Sequence, residues 1–291
     1  MSRPTSRKVR ARQIVESDIN RLADLLAKGF RGHDRPFWVR ALARLGNRRV
    51  PDGLPQYGYL LESDDIPVGV ILLIFASMRT GSGCTTRGNV SSWYVEPAFR
   101  SYAGLLASRA LKHEGVTYLN VTAAPSTRAI AEAQGYLRYN RGIFVAAPSL
   151  SMRSSAAEVR SVSVEEAPDG HIESWEQDLL LEHAKYGCIS LWVETAEQAY
   201  PFVFRVRCLK GVVPYPQLVY CRDIQDLARF ARPIGRFLLS RGHPFVAIDS
   251  DGPIGGLVGK YFDGRMPKYF KGRDRPQLGD LAYTEIAMFG V

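Results

Sequence analysis

The sequence predicts an α/β protein with two domains in tandem, each built on a mixed central sheet flanked by helices. Three observations predict this fold class. The 291 residues suit two domains of ordinary size. Strand-like and helix-like apolar periods alternate along both halves. A non-periodic stretch with Pro148 and four serines interrupts them at 146–157. We therefore predict domains at 1–147 and 158–291, joined by a linker at 148–157.

The first half is predicted to begin with a strand, two helices and a hairpin. Ser17 or Asp18 caps the first helix, which ends near Gly29. The second helix starts at Pro36, because proline suits a first helical position. A turn at 63–67 joins two strands as a hairpin. The predicted strands are 9–15, 57–62, 68–76, 90–95, 117–122 and 137–146, and the later helices are 102–113 and a short one between Ser126 and Gly135.

The second half repeats this plan. Ser174 and Gln177 have the spacing of a capping box before a helix that ends near Tyr186. Asp223 caps a longer helix, which Pro233 is expected to kink or split because proline cannot donate the i→i−4 hydrogen bond. The predicted strands of this half are 189–194, 202–209, 217–221, 245–249 and 282–289.

Positive charge is concentrated in the first half. Residues 1–150 hold 21 Lys and Arg against 11 Asp and Glu, a net of +10. Residues 151–291 hold 17 against 18, a net of −1. A basic half suits a phosphorylated ligand and would also suit nucleic acid, so charge alone does not choose between them.

Several classes of protein are disfavoured by the sequence. The longest apolar run, 67–78, is too short to span a bilayer. Residues 1–13 are basic and polar with no apolar segment after them, so no secretory leader is evident. The four cysteines lie far apart without a C-x-x-C pair, which favours reduced thiols and no structural zinc. These patterns predict a cytoplasmic protein without a bound metal.

The most informative stretch is 89–113. A strand ends at Val95-Glu96-Pro97, a basic turn follows at Arg100, and a helix starts near Tyr102. The turn is expected to place Arg100 and free backbone N–H groups at a helix N-terminus. Unsatisfied donors and the positive end of the helix dipole favour phosphate there. An ordinary strand–loop–helix connection with a surface arginine is the alternative.

This turn resembles the coenzyme-A-binding turn of the GNAT superfamily of acyltransferases, whose signature is Arg/Gln-x-x-Gly-x-Gly/Ala between a central strand and a helix. Aligned on Arg100, the family glycines fall on Ala103 and Leu105, with Gly104 between them. The predicted order β-α-α-β-β-β-α-β-α-β over residues 8–147 is also the order of that family. The resemblance implies acetyl-CoA or another acyl-CoA as co-substrate, and an unidentified amine or hydroxyl as acceptor.

The resemblance also implies roles for individual residues. The backbone N–H of Val95 would bind the acyl carbonyl, and the pyrophosphate would lie on the turn. The coenzyme-binding residues implied are Val95, Arg100, Ser101, Tyr102, Ala103, Gly104, Leu105 and Ser126. Strand alternation places Ser92, Tyr94 and Glu96 on one face, which suggests Glu96 as proton acceptor and Tyr94 as proton donor. A surface glutamate and a buried tyrosine are the alternatives. The family tyrosine that protonates the departing thiolate falls on Ala131, so that role is not carried over.

The second half resembles a further, degenerate GNAT-like domain. Between Cys221 and Ile224 there is no Arg/Gln-x-x-Gly-x-Gly run. Arg222-Asp223 instead puts an acidic residue where the phosphate would lie. We expect this half not to bind coenzyme A. An unrelated α/β domain is the alternative.

The sequence thus predicts a tandem GNAT-type acyltransferase whose first half works by direct attack in a ternary complex. A non-catalytic pair that binds an acyl-CoA or a protein partner is the alternative, favoured by Leu105 and Ala131. A nucleic-acid-binding module is the least favoured interpretation, and no membrane partner is expected. Residues 260–275 interleave basic and aromatic side chains, for which a solvated hairpin or loop is favoured over a surface that binds single-stranded nucleic acid or an anionic substrate. Gly81-x-Gly83 and the five scattered histidines have neither dinucleotide nor metal-ligand spacing.

Overall fold

A computed structural model of the chain describes residues 8–80, 83–151, 157–162, 172–209 and 212–290. These residues form two compact units. The first comprises the chain up to Asn120 together with Lys271–Asp274, and the second comprises Val121–Phe270 and the chain from Arg275 onward. Gly81, and residues 152–156 of the predicted linker, lie outside the described residues. No helix in the described ranges is long and apolar enough to cross a membrane.

The first unit is built on a mixed sheet. Its strands are β1 (Val9–Gln13), β2 (Gly58–Ser63), β3 (Ile66–Thr80), β4 (Gly83–Val95) and β5 (Val116–Asn120), and its helices are α1 (Ile19–Gly29), α2 (Arg35–Gly46) and α3 (Ala103–Ala110). The strands lie in the order β1-β2-β3-β4-β5, antiparallel except for the parallel pair β4–β5. The strands and helices predicted between residues 9 and 122 are confirmed, with β3 and β4 extended into one long antiparallel pair.

Local sequence signals account for the limits of these elements. Asp64 and Asp65 have φ angles of 50° and 64°, as a tight two-residue hairpin between β2 and β3 requires. Asp34 caps α2 by accepting a hydrogen bond from the backbone N–H of Phe37 at 2.9 Å, and Pro36 lies in the first turn.

The segment Lys271–Asp274 joins the first unit beside β5. Gly272 has a φ of 151°, and a Cβ atom there would lie 2.6 Å from Oγ1 of Thr117. The backbone N–H of Asp274 donates to the same Oγ1 at 3.3 Å. Glycine is required at 272, because any side chain would collide with β5 and the backbone angle suits glycine alone.

A buried carboxylate ties the start of α1 to β1 and β2. Asp18 is 1% exposed and accepts hydrogen bonds from Arg12 at 2.6 and 2.8 Å. It also accepts from the backbone N–H of Val15 at 3.0 Å. Its side chain makes no cap bond with α1, so the predicted capping role is wrong. Arg12 bridges onward to Glu62 at 3.0 Å. The hydrogen bonds from Arg12 are the main cause that lowers the pKa of Asp18.

We expect the Asp18 carboxylate to make stability depend on acid pH. Because its folded pKa lies below its ordinary value of 3.8, the unfolded chain takes up the proton first. The stabilisation is complete above that value and is lost as the pH falls through the lower folded pKa. Asp18→Asn should therefore lower the free energy of unfolding by roughly 1.5–3 kcal/mol at neutral pH. It should also weaken the dependence of that free energy on acid pH. Urea unfolding at neutral pH and near pH 3 measures both effects. Asp24→Asn, at an exposed ion pair, is the control. If Asp18→Asn and the wild-type protein lost the same free energy of unfolding between neutral pH and pH 3, the assignment would be contradicted.

The second unit holds a mixed sheet of seven strands. Its strands are β6 (Leu137–Arg138), β7 (Gly142–Ala146), β8 (Glu158–Ser161), β9 (Ile189–Glu194), β10 (Ala199–Leu209), β11 (Val213–Cys221), β12 (Val246–Ser250), β13 (Gly259–Asp263) and β14 (Tyr269–Lys271), and its helices are α4 (Arg128–Ala133), α5 (Ser174–Lys185), α6 (Ile224–Arg229), α7 (Ala231–Leu239) and α8 (Glu285–Phe289). This sheet has the order β13-β7-β12-β11-β10-β9-β8, with β11 and β12 parallel, whereas β6 and β14 belong to the sheet that begins with β1 to β5. Its apolar core includes Phe202, Phe204 and Phe230.

The predicted strand at 137–146 is interrupted at residues 139–141. Its first part, β6, pairs with β14, and its second part, β7, pairs with β12 and β13. Asn140 makes the change of partner possible, because its side chain replaces strand-pairing hydrogen bonds. It accepts from the backbone N–H of Lys268 at 2.6 Å and donates to the carbonyl of Gly142 at 3.1 Å. By compactness β6 and β7 belong to the second unit, whereas the domain limits 1–147 and 158–291 stay a prediction.

The predicted strand at 282–289 is wrong. Tyr283 has a φ of 57°, which ends extended backbone, and α8 follows directly. Gly290 ends that helix at a φ of 76°, the usual left-handed position after a helix. All five residues of α8 are buried, and a continuous apolar run does not distinguish a short buried helix from a strand.

Two predictions about helix ends had different outcomes. The capping box is wrong, because α5 begins at Ser174 itself and Glu173 occupies the N-cap position. The split at Pro233 is confirmed: α6 ends at Arg229, α7 begins at Ala231, and Asp223 caps α6 through the backbone N–H of Gln225 at 2.8 Å.

Residues 260–275 are not a solvated hairpin throughout. Lys268, Tyr269 and Phe270 are buried. The Nζ atom of Lys268 lies 2.5 Å from Oδ1 of Asp249, and the two side chains are 0% and 2% exposed. A buried lysine is tolerated only with such a partner, so this pair fixes the end of β12 to the start of β14.

Candidate active site

The two parallel strands of the first unit separate before they end. Strand β4 pairs with β5 only from Thr86 to Asn89, opposite Val116 to Leu119. Residues 90–95 of β4 keep β3 as a partner on one side. In the described part of the chain, their other side has no strand partner. The fork therefore leaves backbone hydrogen-bonding groups of β4 available at the carboxyl ends of parallel strands, a common place for ligands.

A β-bulge bends β4 within this fork. Ser91 pairs with Leu72 and Tyr94 pairs with Val70, so Ser92 and Trp93 together oppose a single residue of β3. Ser92 has a φ of 46°, which is a strained angle for serine. Bulges of this kind re-aim side chains next to active sites.

The bulge corrects the predicted alternation of side chains. Because Leu72 and Val70 share a face of β3, their partners Ser91 and Tyr94 share a face of β4. Simple alternation had placed Tyr94 with Ser92 instead. Glu96, two residues beyond Tyr94, stays on the same side as Tyr94. The face that carries the predicted acid and base therefore also carries Ser91 and Asn89.

The basic turn after β4 is more regular than predicted. Residues Pro97–Tyr102 form a 3₁₀-helix that runs directly into α3. The backbone N–H groups of Phe99 and Ala103 donate to the carbonyls of Glu96 and Arg100, so fewer amides are free than the turn was expected to offer. Arg100 is exposed and has no ion pair within the described ranges.

The remaining predicted coenzyme-binding residues are placed as follows. Ser101 and Tyr102 are exposed in the 3₁₀-helix, and Ala103 is half-buried at the start of α3. A Cβ at Gly104 would meet nothing within 4 Å, so the backbone there is open to a ligand. Leu105 is 37% exposed. Ser126 is exposed in a short 3₁₀-helix of the second unit, Pro125–Thr127.

Solved structures share this architecture over most of the chain. A GCN5-related N-acetyltransferase from Kribbella flavida matches with a TM-score of 0.57 at 13% identity, over 92% of this chain and 72% of its own. A GCN5-related N-acetyltransferase from Anabaena variabilis matches with a TM-score of 0.56 at 12% identity, over 90% and 72%. Eis1 from Mycobacterium abscessus matches with a TM-score of 0.53 at 11% identity, over 91% and 73%. The chain has the GNAT fold.

The likeness is one of three-dimensional structure. No protein-family model matches the sequence, and no curated protein matches it in sequence. A shared fold supports many functions, so function has to be argued from the residues of the site. The sequence-based prediction of a GNAT fold with two GNAT-like sheets is confirmed.

Tyr94 and Glu96 lie against the end of α1. A Cβ at Gly29 would lie 2.4 Å from Cγ of Tyr94, so the ring packs directly on the helix backbone. The ring of Phe30 lies 6.3 Å from that of Tyr94. Lys28 donates from Nζ to Oε1 of Glu96 at 2.5 Å, and this hydrogen bond is the main cause that raises the pKa of Lys28. The GNAT fold thus brings the two predicted catalytic side chains to one helix end.

Asn89 shares the face of β4 that carries Tyr94, and the sequence did not single it out. It is 1% exposed at the last position where β4 pairs with β5. Neither its Oδ1 nor its Nδ2 has a hydrogen-bond partner among the described residues. Leaving such a group unpaired costs roughly 1–3 kcal/mol, so a buried water or a ligand group is the expected partner. The signal available in the sequence was a single amide side chain in the middle of β4.

The corresponding turn of the second unit is occupied by protein contacts. Arg222 donates from Nε to Oε1 of Glu176 at 2.7 Å, and from Nη1 to the carbonyl of Ala199 at 3.1 Å. Glu176 is 1% exposed, so this arginine serves a buried carboxylate. The side chain of Asp223 caps α6. These contacts favour the expectation that the second unit does not bind coenzyme A, which stays a prediction.

Proposed function

We propose that the protein is an acyltransferase that moves an acetyl or other acyl group from coenzyme A to an amine or hydroxyl. The transfer would take place in the first unit by direct attack in a ternary complex. The observation that carries this proposal is the fork between β4 and β5 with the bulge at Ser92. An extended chain with amide groups, such as the pantetheine arm of coenzyme A, can pair with the free side of β4 as an added strand would.

The proposed binding mode uses the backbone more than side chains. The pantetheine amides would pair with residues 90–95, and the N–H of Val95 would bind the acyl carbonyl. The pyrophosphate would lie beside Arg100, at the open backbone of Gly104. Hydrogen-bond donors that are already in place for the developing oxyanion accelerate acyl transfer without reorganisation.

The chemistry requires one proton acceptor and one donor. The acceptor nitrogen or oxygen forms a bond to the thioester carbon, and the carbon–sulfur bond breaks. Glu96 takes the proton of the attacking group, and the leaving thiolate takes a proton from Tyr94. Ala131, at the position of the family tyrosine, carries no hydroxyl, which leaves Tyr94 as the candidate donor.

A thermal-shift titration with acetyl-CoA, coenzyme A and a longer acyl-CoA tests the proposal. A ligand that binds only the folded protein raises the melting temperature by an amount that grows with the logarithm of its concentration once this exceeds Kd. A shift that ranks the three compounds would support acyl-CoA binding and define the acyl length for an acceptor screen. No shift at millimolar ligand would contradict it. Binding without turnover in that screen would favour the non-catalytic alternative.

Arg100→Glu is expected to weaken coenzyme A binding by roughly 10–100-fold, because it replaces a phosphate-binding guanidinium with a like charge. The fold should be unaffected, since Arg100 is exposed. Isothermal titration calorimetry measures the affinity. Arg109→Glu, an equal charge change at an exposed position later in α3, is the matched control. Equal affinities in the two variants would place the pyrophosphate elsewhere.

Gly29→Ala is expected to reduce kcat by roughly 10–100-fold, because the added methyl group must displace the ring of Tyr94. Coenzyme A affinity should change little, since α1 is not part of the proposed phosphate site. Gly32→Ala, where the new methyl group meets nothing within 4 Å, is the control. Steady-state kinetics with an identified acceptor separate the two parameters. An active Gly29→Ala protein would show that the position of Tyr94 is not critical.

A further inference from the structure

A polar cavity in the second unit has no role in the proposed acyl transfer. It has a volume of about 730 Å³ and is lined by Tyr139, Asn140 and five charged residues, Arg138, Arg141, Asp251, Asp263 and Arg275. It lies where β7 begins and where β12 and β13 end. The carboxyl ends of strands are common ligand sites in α/β folds, and the volume is in the range that holds a small molecule.

Two arginines of this cavity are held in place by the backbone. Arg138 donates from Nε to the carbonyl of Asn140 at 2.7 Å and from Nη2 to the carbonyl of Arg141. Arg275 donates from Nη2 to the carbonyl of Tyr139 at 3.2 Å. These bonds orient both guanidinium groups without neutralising them. Each group keeps further N–H donors, because a guanidinium carries five.

The third arginine and the two carboxylates complete the lining. The side chain of Arg141 has no hydrogen bond or ion pair in the part of the chain that the structure describes. Its backbone N–H donates to Oδ1 of Asp251 at 2.7 Å. Asp251 also lies 3.9 Å from Nη2 of Arg275, and both of these side chains are well exposed. Asp263 accepts from the hydroxyl of Tyr261 at 3.0 Å. Three guanidinium groups against two carboxylates give the lining a net charge of +1.

We propose that this cavity binds a small phosphorylated molecule. Arg138, Arg141 and Arg275 would surround the phosphate, since planar guanidinium groups bind its oxygens in pairs. Asp251 and Asp263 would accept hydrogen bonds from hydroxyl or amino groups of the same molecule. The described lining contains no aliphatic side chain, which disfavours an acyl chain as the ligand. The site is independent of the proposed acyl transfer in the first unit.

Calorimetric titration with inorganic phosphate at constant ionic strength tests this site. We expect saturable binding to the wild-type protein and an affinity about tenfold lower in Arg141→Gln. That variant should fold, because the side chain is exposed and has no contact to lose. Arg265→Gln removes the same charge from an exposed position outside the cavity and should bind as wild type.

Three results would overturn the proposal. The first is the absence of saturable binding to the wild-type protein at high millimolar phosphate. The second is binding that is lost in Arg100→Glu and kept in Arg141→Gln, which would assign the phosphate to the turn of the first unit. The third is equal binding of acetate, which would make the cavity a general carboxylate site. Full affinity in Arg100→Glu together with weak binding in Arg141→Gln would support it.

Discussion

Replacing Lys268 with methionine is expected to lower the free energy of unfolding by about 3–5 kcal/mol, the typical cost of breaking a buried ion pair from one side. The ammonium and the carboxylate of Asp249 are almost fully buried, 2.5 Å apart. Methionine keeps most of the volume of the lysine stem, so the loss would arise from the charge left on Asp249. Urea unfolding followed by circular dichroism measures the change.

Burial and pairing act in opposite directions on these two groups. Burial raises the pKa of the Asp249 carboxyl and lowers the pKa of the Lys268 ammonium, whereas the contact between them opposes both shifts. Removing both charges, in a protein with Lys268→Met and Asp249→Leu, should therefore recover part of the stability lost in the single variant. Lys260→Met, at an exposed lysine, should change the free energy of unfolding by less than about 0.5 kcal/mol. A single Lys268→Met variant as stable as wild type would show that the buried pair does not form.

The largest effect on activity is expected from Glu96→Gln. The substitution keeps the size of the side chain and removes the proposed proton acceptor, so kcat should fall by roughly 10²–10⁴-fold. Acyl-CoA affinity should stay within about twofold, because the carboxylate is not part of the proposed coenzyme site. Thiol release from acetyl-CoA, with an acceptor found by screening amines and alcohols, gives kcat, and calorimetry gives the affinity.

Two further variants separate proton transfer from structural support. Glu114→Gln removes an exposed carboxylate of the same unit and should leave kcat unchanged. Lys28→Met removes the partner of Glu96 and keeps the carboxylate. If Glu96 is the base, Lys28→Met should cost far less activity than Glu96→Gln. Equal losses in the two variants would assign the ion pair to positioning α1 against β4.

Local patterns predicted most of the first unit. The prolines, turn residues and apolar periods between residues 9 and 122 act over a few residues, and the helices and strands there follow them. The hairpin at Asp64 and Asp65 and the break near Pro233 were predicted for the same reason. The GNAT order of elements was recognised from these same signals.

The features that were missed depend on distant parts of the chain. The bulge at Ser92 contains no glycine, and it is defined by the pairing of β4 with β3. The break at Asn140 depends on contacts with Lys268, which lies far along the sequence. The burial of Lys268 likewise depends on its contact with Asp249. The basic residues around it, considered without that distant partner, therefore predict a solvent-exposed segment. At the site, single-strand alternation could not place Asn89 on the same face of β4 as Tyr94.

The first unit cannot be completed until residues 271–274 have been synthesised. Its last four residues, Lys271–Asp274, leave the ribosome only after residues 121–270. At ordinary rates of translation this delay lasts roughly 8–30 s. During that time the place of Gly272 beside Thr117 is empty, and the outer edge of β5 can pair with other strands. Chains that stop short of residue 271 would keep that edge open. They should therefore be bound by chaperones or degraded by proteases rather than persist as truncated folded proteins.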